Sequence, residues 1–166
     1  MSISFGSTGI KPYVGSKEVK EAYVGSQKVY SAAPPVYYGF LGAENDYVIA
    51  DWCQLTRGAK IEKDQGIYRI ELSRAKNDSG CVTLVNPKTR YLKFTAKLIT
   101  TAVQISITYI FGNGKKESHS ITGLNTNNYT LLGYTLPENT TEVQIICGGS
   151  FATKGLYIDD LRFETE

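Results

Sequence analysis

Arg90-Tyr-Leu-Lys-Phe-Thr-Ala-Lys-Leu-Ile99, followed two residues later by Ala102-Val-Gln-Ile-Ser-Ile-Thr-Tyr-Ile-Phe111, decides the fold class. In the first stretch Tyr91, Lys93 and Thr95 alternate with Leu92, Phe94, Ala96 and Leu98. In the second, Val103, Ile105, Ile107 and Tyr109 recur at every other position. A period of two is that of a β-strand, whose successive side chains point to opposite faces. Gly112-Asn-Gly114 follows as a turn whose glycines are free to take positive φ, and residues 116–121 return from it. Two long strands and a hairpin return are the reading, with Leu92, Phe94, Ile105 and Ile107 facing a core.

Working outward, the same signature recurs at short, regular intervals. Residues 36–40, 47–52, 60–62, 66–72, 81–85, 129–136, 142–147 and 155–163 each read as strands between turn residues. Ile145 and Ile158 fall on apolar faces of theirs. No stretch has convincing helical periodicity, and twelve Tyr with many Thr, Val and Ile favour sheet. The expected fold is all-β: a β-sandwich of jelly-roll type with about nine or ten strands, preceded by an extended hairpin-like arm.

The arm says the same thing twice. Tyr13-Val-Gly-Ser-Lys-Glu-Val-Lys-Glu-Ala22 is followed directly by Tyr23-Val-Gly-Ser-Gln-Lys-Val-Tyr-Ser-Ala32, identical at six of ten positions. Tyr-Val supplies strand formers, Gly-Ser a turn, and Val19 or Val29 a return strand, so each copy is a small hairpin. Ser31-Ala-Ala-Pro-Pro35 breaks the pattern and divides a 1–34 docking arm from a 35–166 sandwich domain. An isolated hairpin is marginal in water. The arm therefore needs a surface to lie on, through Tyr13, Val14, Val19, Tyr23, Val24, Val29 and Tyr30. That surface is the body of its own chain, a symmetry mate or a different protein, and a homo-oligomer is an expectation.

Composition narrows the function. The chain has 166 residues, a hydrophobic fraction of 42% and a net charge of +2. Residues 1–34 hold four Lys and two Glu, leaving the remainder with fourteen basic and fourteen acidic residues. That balance argues against a nucleic-acid partner. No apolar run is long enough to span a membrane, and Met1-Ser-Ile-Ser-Phe-Gly lacks secretory features, so assembly in a cytoplasm is expected. Cys53, Cys81 and Cys147 have no metal spacing and read as reduced core residues.

Catalysis finds no constellation, and the chain is read as a non-enzyme. His119 is the sole histidine, and its serine neighbours point to the opposite face of its strand. Asp159 and Asp160 diverge for the same reason, so no carboxylate pair stands across a cleft. Binding of a glycan would use exposed aromatics with polar groups at the ring edge. Trp52, Tyr129, Tyr134 and Phe151 are the candidates. Trp52 is expected inside. Tyr129, beside Asn125-Thr-Asn-Asn128, is expected outside, and Tyr129 and Tyr134 are taken as the ligand contacts.

Two resemblances add to this. The tandem Tyr-Val-Gly-Ser units, introduced by Ile10-Lys11 and closed by Val29-Tyr30, resemble N-terminal segments of bacteriophage tail and other virion proteins. That likeness implies a non-enzymatic virion structural protein of tail, baseplate or capsid decoration, assembled in the host cytoplasm. The arm would dock on other virion proteins and the outward domain would meet host-surface glycan. Residues 36–164, ending in Leu156-Tyr-Ile-Asp-Asp-Leu-Arg-Phe163, resemble the jelly-roll modules grouped with galactose-binding-like and carbohydrate-binding domains. This implies a β-sandwich and, as the alternative function, a carbohydrate-binding module of a bacterial enzyme or surface protein. It also implies no catalytic cofactor but a structural calcium, for which Glu44 or Asp46 and Asp160 occupy the matching places.

Overall fold

The structure is a computed structural model. It describes residues 13–14, 17–18, 21–24, 27–31, 35–56, 58–74, 78–149 and 153–165. The chain divides into two compact units, Met1–Pro35 and Val36–Glu166.

In the first unit, β1 (Tyr13–Val14) pairs antiparallel with β2 (Lys17–Glu18), setting Tyr13 opposite Glu18 and Val14 opposite Lys17. β3 (Glu21–Val24) pairs with β4 (Gln27–Ser31), with an irregularity between Ala22 and Tyr23. One ladder lies within the first copy of the repeat; the other crosses the boundary, pairing Glu21 and Ala22 of the first copy with Ser31 and Tyr30 of the second. Val19 lies outside the described residues.

The second unit holds twelve strands among its described residues: β5 (Val36–Gly42), β6 (Tyr47–Ile49), β7 (Cys53–Leu55), β8 (Ala59–Asp64), β9 (Ile67–Arg74), β10 (Gly80–Val85), β11 (Tyr91–Leu98), β12 (Gln104–Phe111), β13 (Lys116–Ser120), β14 (Thr130–Thr135), β15 (Thr140–Gly148) and β16 (Thr153–Glu164). They form two antiparallel sheets, and no helix is present among the described residues. One sheet has five strands in the order β13-β12-β15-β10-β7. The other has seven, β14-β11-β16-β5-β6, with β9 also pairing β16 and β8 pairing β9. The single stretch 47–52 expected as one strand is the whole of β6 and the turn to β7. Asp51 and Trp52 turn the chain, with Cys53 N donating to the Ala50 carbonyl at 3.0 Å. β6 therefore joins the seven-stranded sheet and β7 the other, a break that no glycine or proline announces.

The core lies between the sheets. Leu92, Phe94, Ile107, Ile145 and Ile158 are fully buried and Ile105 nearly so, as the alternation predicts. Cys53, Cys81 and Cys147 are free and buried. Burial raises the Cys53 thiol to about 12 and the Cys147 thiol to about 11, so both stay protonated and unreactive. Trp52 is half-buried, its ring 5.4 Å from that of Phe163.

β16 is the longest strand and the hinge of its sheet. Residues Thr153 to Ile158 pair with β9, and residues Leu161 to Glu164 pair with β5. Between them the ladder to β11 shifts register, and Asp160 takes a left-handed φ of +50°. An extra residue on one strand bends it and increases its twist. β16 can therefore serve two different neighbours along one edge.

Phe94→Ala tests the register. Phe94 is fully buried and stacks on Tyr134 at 5.9 Å between ring centroids. Its truncation should lower unfolding stability by about 3–5 kcal/mol, measured by urea denaturation. A loss near zero would place Phe94 on the other face.

Candidate functional site

The outward face of the seven-stranded sheet collects the polar half of every alternating strand. β11 contributes Tyr91, Lys93, Thr95 and Lys97; β16 contributes Tyr157, Asp159, Arg162 and Glu164; β9 contributes Arg69 and Glu71; β5 contributes Tyr38. Lys93 stands opposite Arg162, which stands opposite Tyr38, in one row across three strands.

This face is concave. Lys97 on β11 and Asp64 on β8 lie three strands apart in the sheet, which in a flat sheet is roughly 14 Å. Yet Lys97 Nζ meets Asp64 Oδ2 at 2.5 Å, and the Tyr129 hydroxyl, from the loop before β14, donates to the same oxygen at 2.8 Å. The sheet must curl until its flanks meet over the middle.

The curl is held at the branch of β16. Asp159 Oδ1 accepts the Gly42 amide at 2.9 Å and the Asp160 amide at 2.8 Å, while Oδ2 pairs with the Arg69 guanidinium. One carboxylate thus joins β5, β9 and β16. The approach is close enough that a Cβ on Gly42 would lie 1.8 Å from the Tyr68 carbonyl oxygen, so only glycine fits there. The Tyr129 ring covers the pair, its centroid 4.2 Å from the Arg69 guanidinium and 4.9 Å from Lys97 Nζ. Burial, then the hydrogen bond to Asp64, push the Tyr129 phenol up, so it remains a donor. Burial raises Asp64, but hydrogen bonds from Lys97 and Tyr129 outweigh it and hold the carboxyl below its usual value. Glu71, fully buried, is matched by Lys154 at 3.0 Å and Ser73 at 2.9 Å.

Beyond the branch the face is open. Arg162 is pinned by Asp160 and by Glu164, whose Oε1 accepts its Nε at 2.6 Å; Lys93 Nζ reaches the other Glu164 oxygen at 2.6 Å. Hydrogen bonds from Lys93 and then Arg162 hold Glu164 below the ordinary carboxylate value. Tyr38, 39% exposed, flanks Arg162 on one side. On the other, β14 presents exposed Leu131, Gly133 and Thr135. A half-open aromatic beside fixed donors and acceptors suits a polyhydroxylated ring, with its C–H face on the tyrosine and its hydroxyls on the ion-paired groups.

Several expected residues stand elsewhere. Tyr134 faces inward and stacks on Phe94, because β14 sets it opposite Leu92; Leu131 takes the exposed position instead. Tyr129 is on this face but half-buried, used as a cover rather than offered to solvent. Glu44, Asp46 and Asp160 are the residues expected to hold calcium. Asp160 pairs with Arg162, Asp46 accepts the Tyr47 amide at 2.8 Å, and Glu44 is exposed. Among the described residues no group of three or more His, Cys, Asp or Glu is arranged to hold a metal. Phe151 lies outside the described residues. His119 is exposed, its ring 5.6 Å from Tyr109. The alternation of 36–40 and 155–163 places Tyr38 and Arg162 on strands, but only the pairing of β5 with β16 makes them neighbours.

No protein-family model matches the chain, and no curated protein matches it. Solved structures do. A family 29 carbohydrate-binding module aligns at a TM-score of 0.56 with 13% identity, over 81% of this chain and 90% of that one. A mutant of such a module in complex with mannohexaose aligns at 0.55 with 11% identity, over 81% and 94%. An agarase aligns at 0.53 with 10% identity, over 81% of this chain and 26% of that one. At these identities the likeness is one of fold: the chain contains a β-sandwich of the carbohydrate-binding-module type.

Two measurements probe the closed half. Asp159→Ala strands the buried Arg69 guanidinium and should destabilise by about 3–5 kcal/mol. Asp64→Asn should destabilise at pH 7. Asp64 has a depressed folded value, so its contribution is full above the unfolded carboxylate value and fades as pH falls through the folded one. The gap between wild type and Asp64→Asn should therefore close below about pH 4, read by urea denaturation across pH. A gap independent of pH would contradict the ionised Asp64.

Proposed function

We propose that the second unit is a non-catalytic carbohydrate-binding module that takes a neutral glycan chain across the open half of the concave seven-stranded face. The observation that carries this is the row Tyr38, Arg162 and Lys93, an exposed aromatic beside donors already fixed by Glu164 and Asp160. Fixed donors lose little entropy on binding. The fold likeness supports the reading, since modules of this shape have been solved with cellohexaose and mannohexaose. Charge balance supports a neutral ligand: the described cations of this face are ion-paired, so an acidic sugar would compete with Glu164, Asp160 or Asp64. Glu164, held below the ordinary carboxylate value by Lys93 and Arg162, is unsuited to act as a general acid.

The duplicated Tyr-Val-Gly-Ser units favour a second role, attachment. On this reading the first unit fixes the chain to a larger assembly, a phage virion or a bacterial enzyme or surface protein, through Tyr13, Val14, Tyr23, Val24 and their repeat partners. Deleting residues 1–33 should leave glycan binding intact and abolish incorporation into the parent assembly. Incorporation at full occupancy after deletion would refute it.

Tyr38→Ala and Arg162→Gln should each weaken retention in native gels cast with soluble glucan or mannan by about tenfold or more, on the order of 1.4 kcal/mol. Gln54→Ala, on the opposite sheet, should leave retention unchanged. Equal retention by all three variants would overturn the assignment of the face.

A further inference from the structure

At one end of the sandwich lies a cleft of about 430 Å³, away from the row on the concave face. Two turns form it. The β12–β13 turn supplies Phe111, Asn113, Lys115 and, just beyond it, Glu117; the turn before β15 supplies Glu138 and Asn139. They are tied together, since the Gly112 amide donates to the Asn139 carbonyl at 3.1 Å. The first turn closes on itself through Gly114 N to the Phe111 carbonyl at 2.8 Å and Phe111 N to the Lys115 carbonyl at 3.0 Å. The cleft is thus preformed rather than a gap between loose loops. Asn139 holds a left-handed φ of +62°, a turn conformation that asparagine adopts more readily than other non-glycine residues.

Its chemistry is amphipathic. Phe111 is half-buried against the core and gives an aromatic wall, with Lys115 Nζ 6.0 Å from its ring centroid at one side. Asn113 and Asn139 bring amides, each able to donate and to accept. The charges are spoken for: Lys115 Nζ meets Glu117 Oε1 at 2.7 Å, and Arg90 Nη1 lies 3.4 Å from Glu138 Oε1. A phosphate or carboxylate ligand would have to displace a carboxylate from one of these cations. A neutral polyol would not: its C–H face can lie on Phe111 while hydroxyls bond to amides and carboxylates. The volume is at the small end for ligand pockets, which suits one or two sugar rings rather than a chain.

We infer that this cleft is a second carbohydrate subsite, taking one or two terminal rings of a neutral glycan. The inference rests on the glycan-binding reading of the domain but concerns a different place in it. Two sites on one domain would raise avidity for a polysaccharide without any new contact at the first.

The test is a titration of the ¹⁵N-labelled full chain with cellobiose, mannobiose, cellohexaose and mannohexaose, following backbone amides. The expected result is saturable shifts at Gly112, Asn113, Gly114 and Asn139 with at least one disaccharide, persisting in Tyr38→Ala. In Asn113→Ala or Glu138→Ala, both on exposed turns, the midpoint of those shifts should move by about tenfold or more, while the shifts at Lys93 and Arg162 remain. Shifts confined to the concave face would overturn the second subsite and leave the proposed function standing. Shifts at neither place with all four sugars would overturn both.

Discussion

The carboxylate of Asp159 lies where three strands of one sheet diverge, and the curvature of that sheet depends on it. Its two oxygens accept from Gly42 on β5, from Arg69 on β9 and from the backbone of β16 itself. Burying such a pair is a weak source of net stability, because the desolvation of both ions offsets their attraction. What the pair supplies is geometry. It allows β16 to leave β9 and take up β5 at a bulge without stranding polar backbone in the interior. The bend then carries the β8–β9 hairpin across the outer face until Asp64 meets Lys97 and Tyr129.

The curl divides the face in two. In one half opposite charges and a tyrosine cover close over the sheet and leave little for a ligand. In the other half the same kind of ion pairs, Lys93–Glu164–Arg162–Asp160, stay near the surface beside Tyr38. Their mutual pairing fixes the donors and removes net charge, which together favour an uncharged, hydroxyl-rich partner. The opposite sheet offers no equivalent. Its outer row, Gln54, Thr83, Gln144, Thr108 and Ser118, is polar but has no aromatic on which a ring could rest.

Much of this sandwich is legible in the sequence, because a strand's period of two survives without any tertiary knowledge. Leu92, Phe94, Ile105, Ile107, Ile145 and Ile158 could be assigned to the core for that reason. The failures share a cause as well. In β14, Leu131 and Leu132 make both faces apolar, so alternation cannot say whether Tyr134 points in or out; pairing with β11 decides it. Tyr129 sits in a polar loop and reads as exposed, yet the acid it bonds is sixty-five residues away. Asp159 and Asp160 look equivalent in the sequence. Asp159 is covered on the concave face with Gly42 and Arg69, whereas Asp160, at a left-handed φ, pairs with Arg162. Site residues joined by sheet topology rather than by chain proximity leave no local signal.

The most direct test is a crystal structure of the full chain with the oligosaccharide best retained in a polysaccharide and glycan-array screen. Sugar rings are expected on the concave seven-stranded face, with one ring against Tyr38 and its hydroxyls within hydrogen-bond distance of Arg162 and Lys93. Sugar bound instead on the row from Gln54 to Ser118, or no glycan retained by the intact protein, would contradict that expectation.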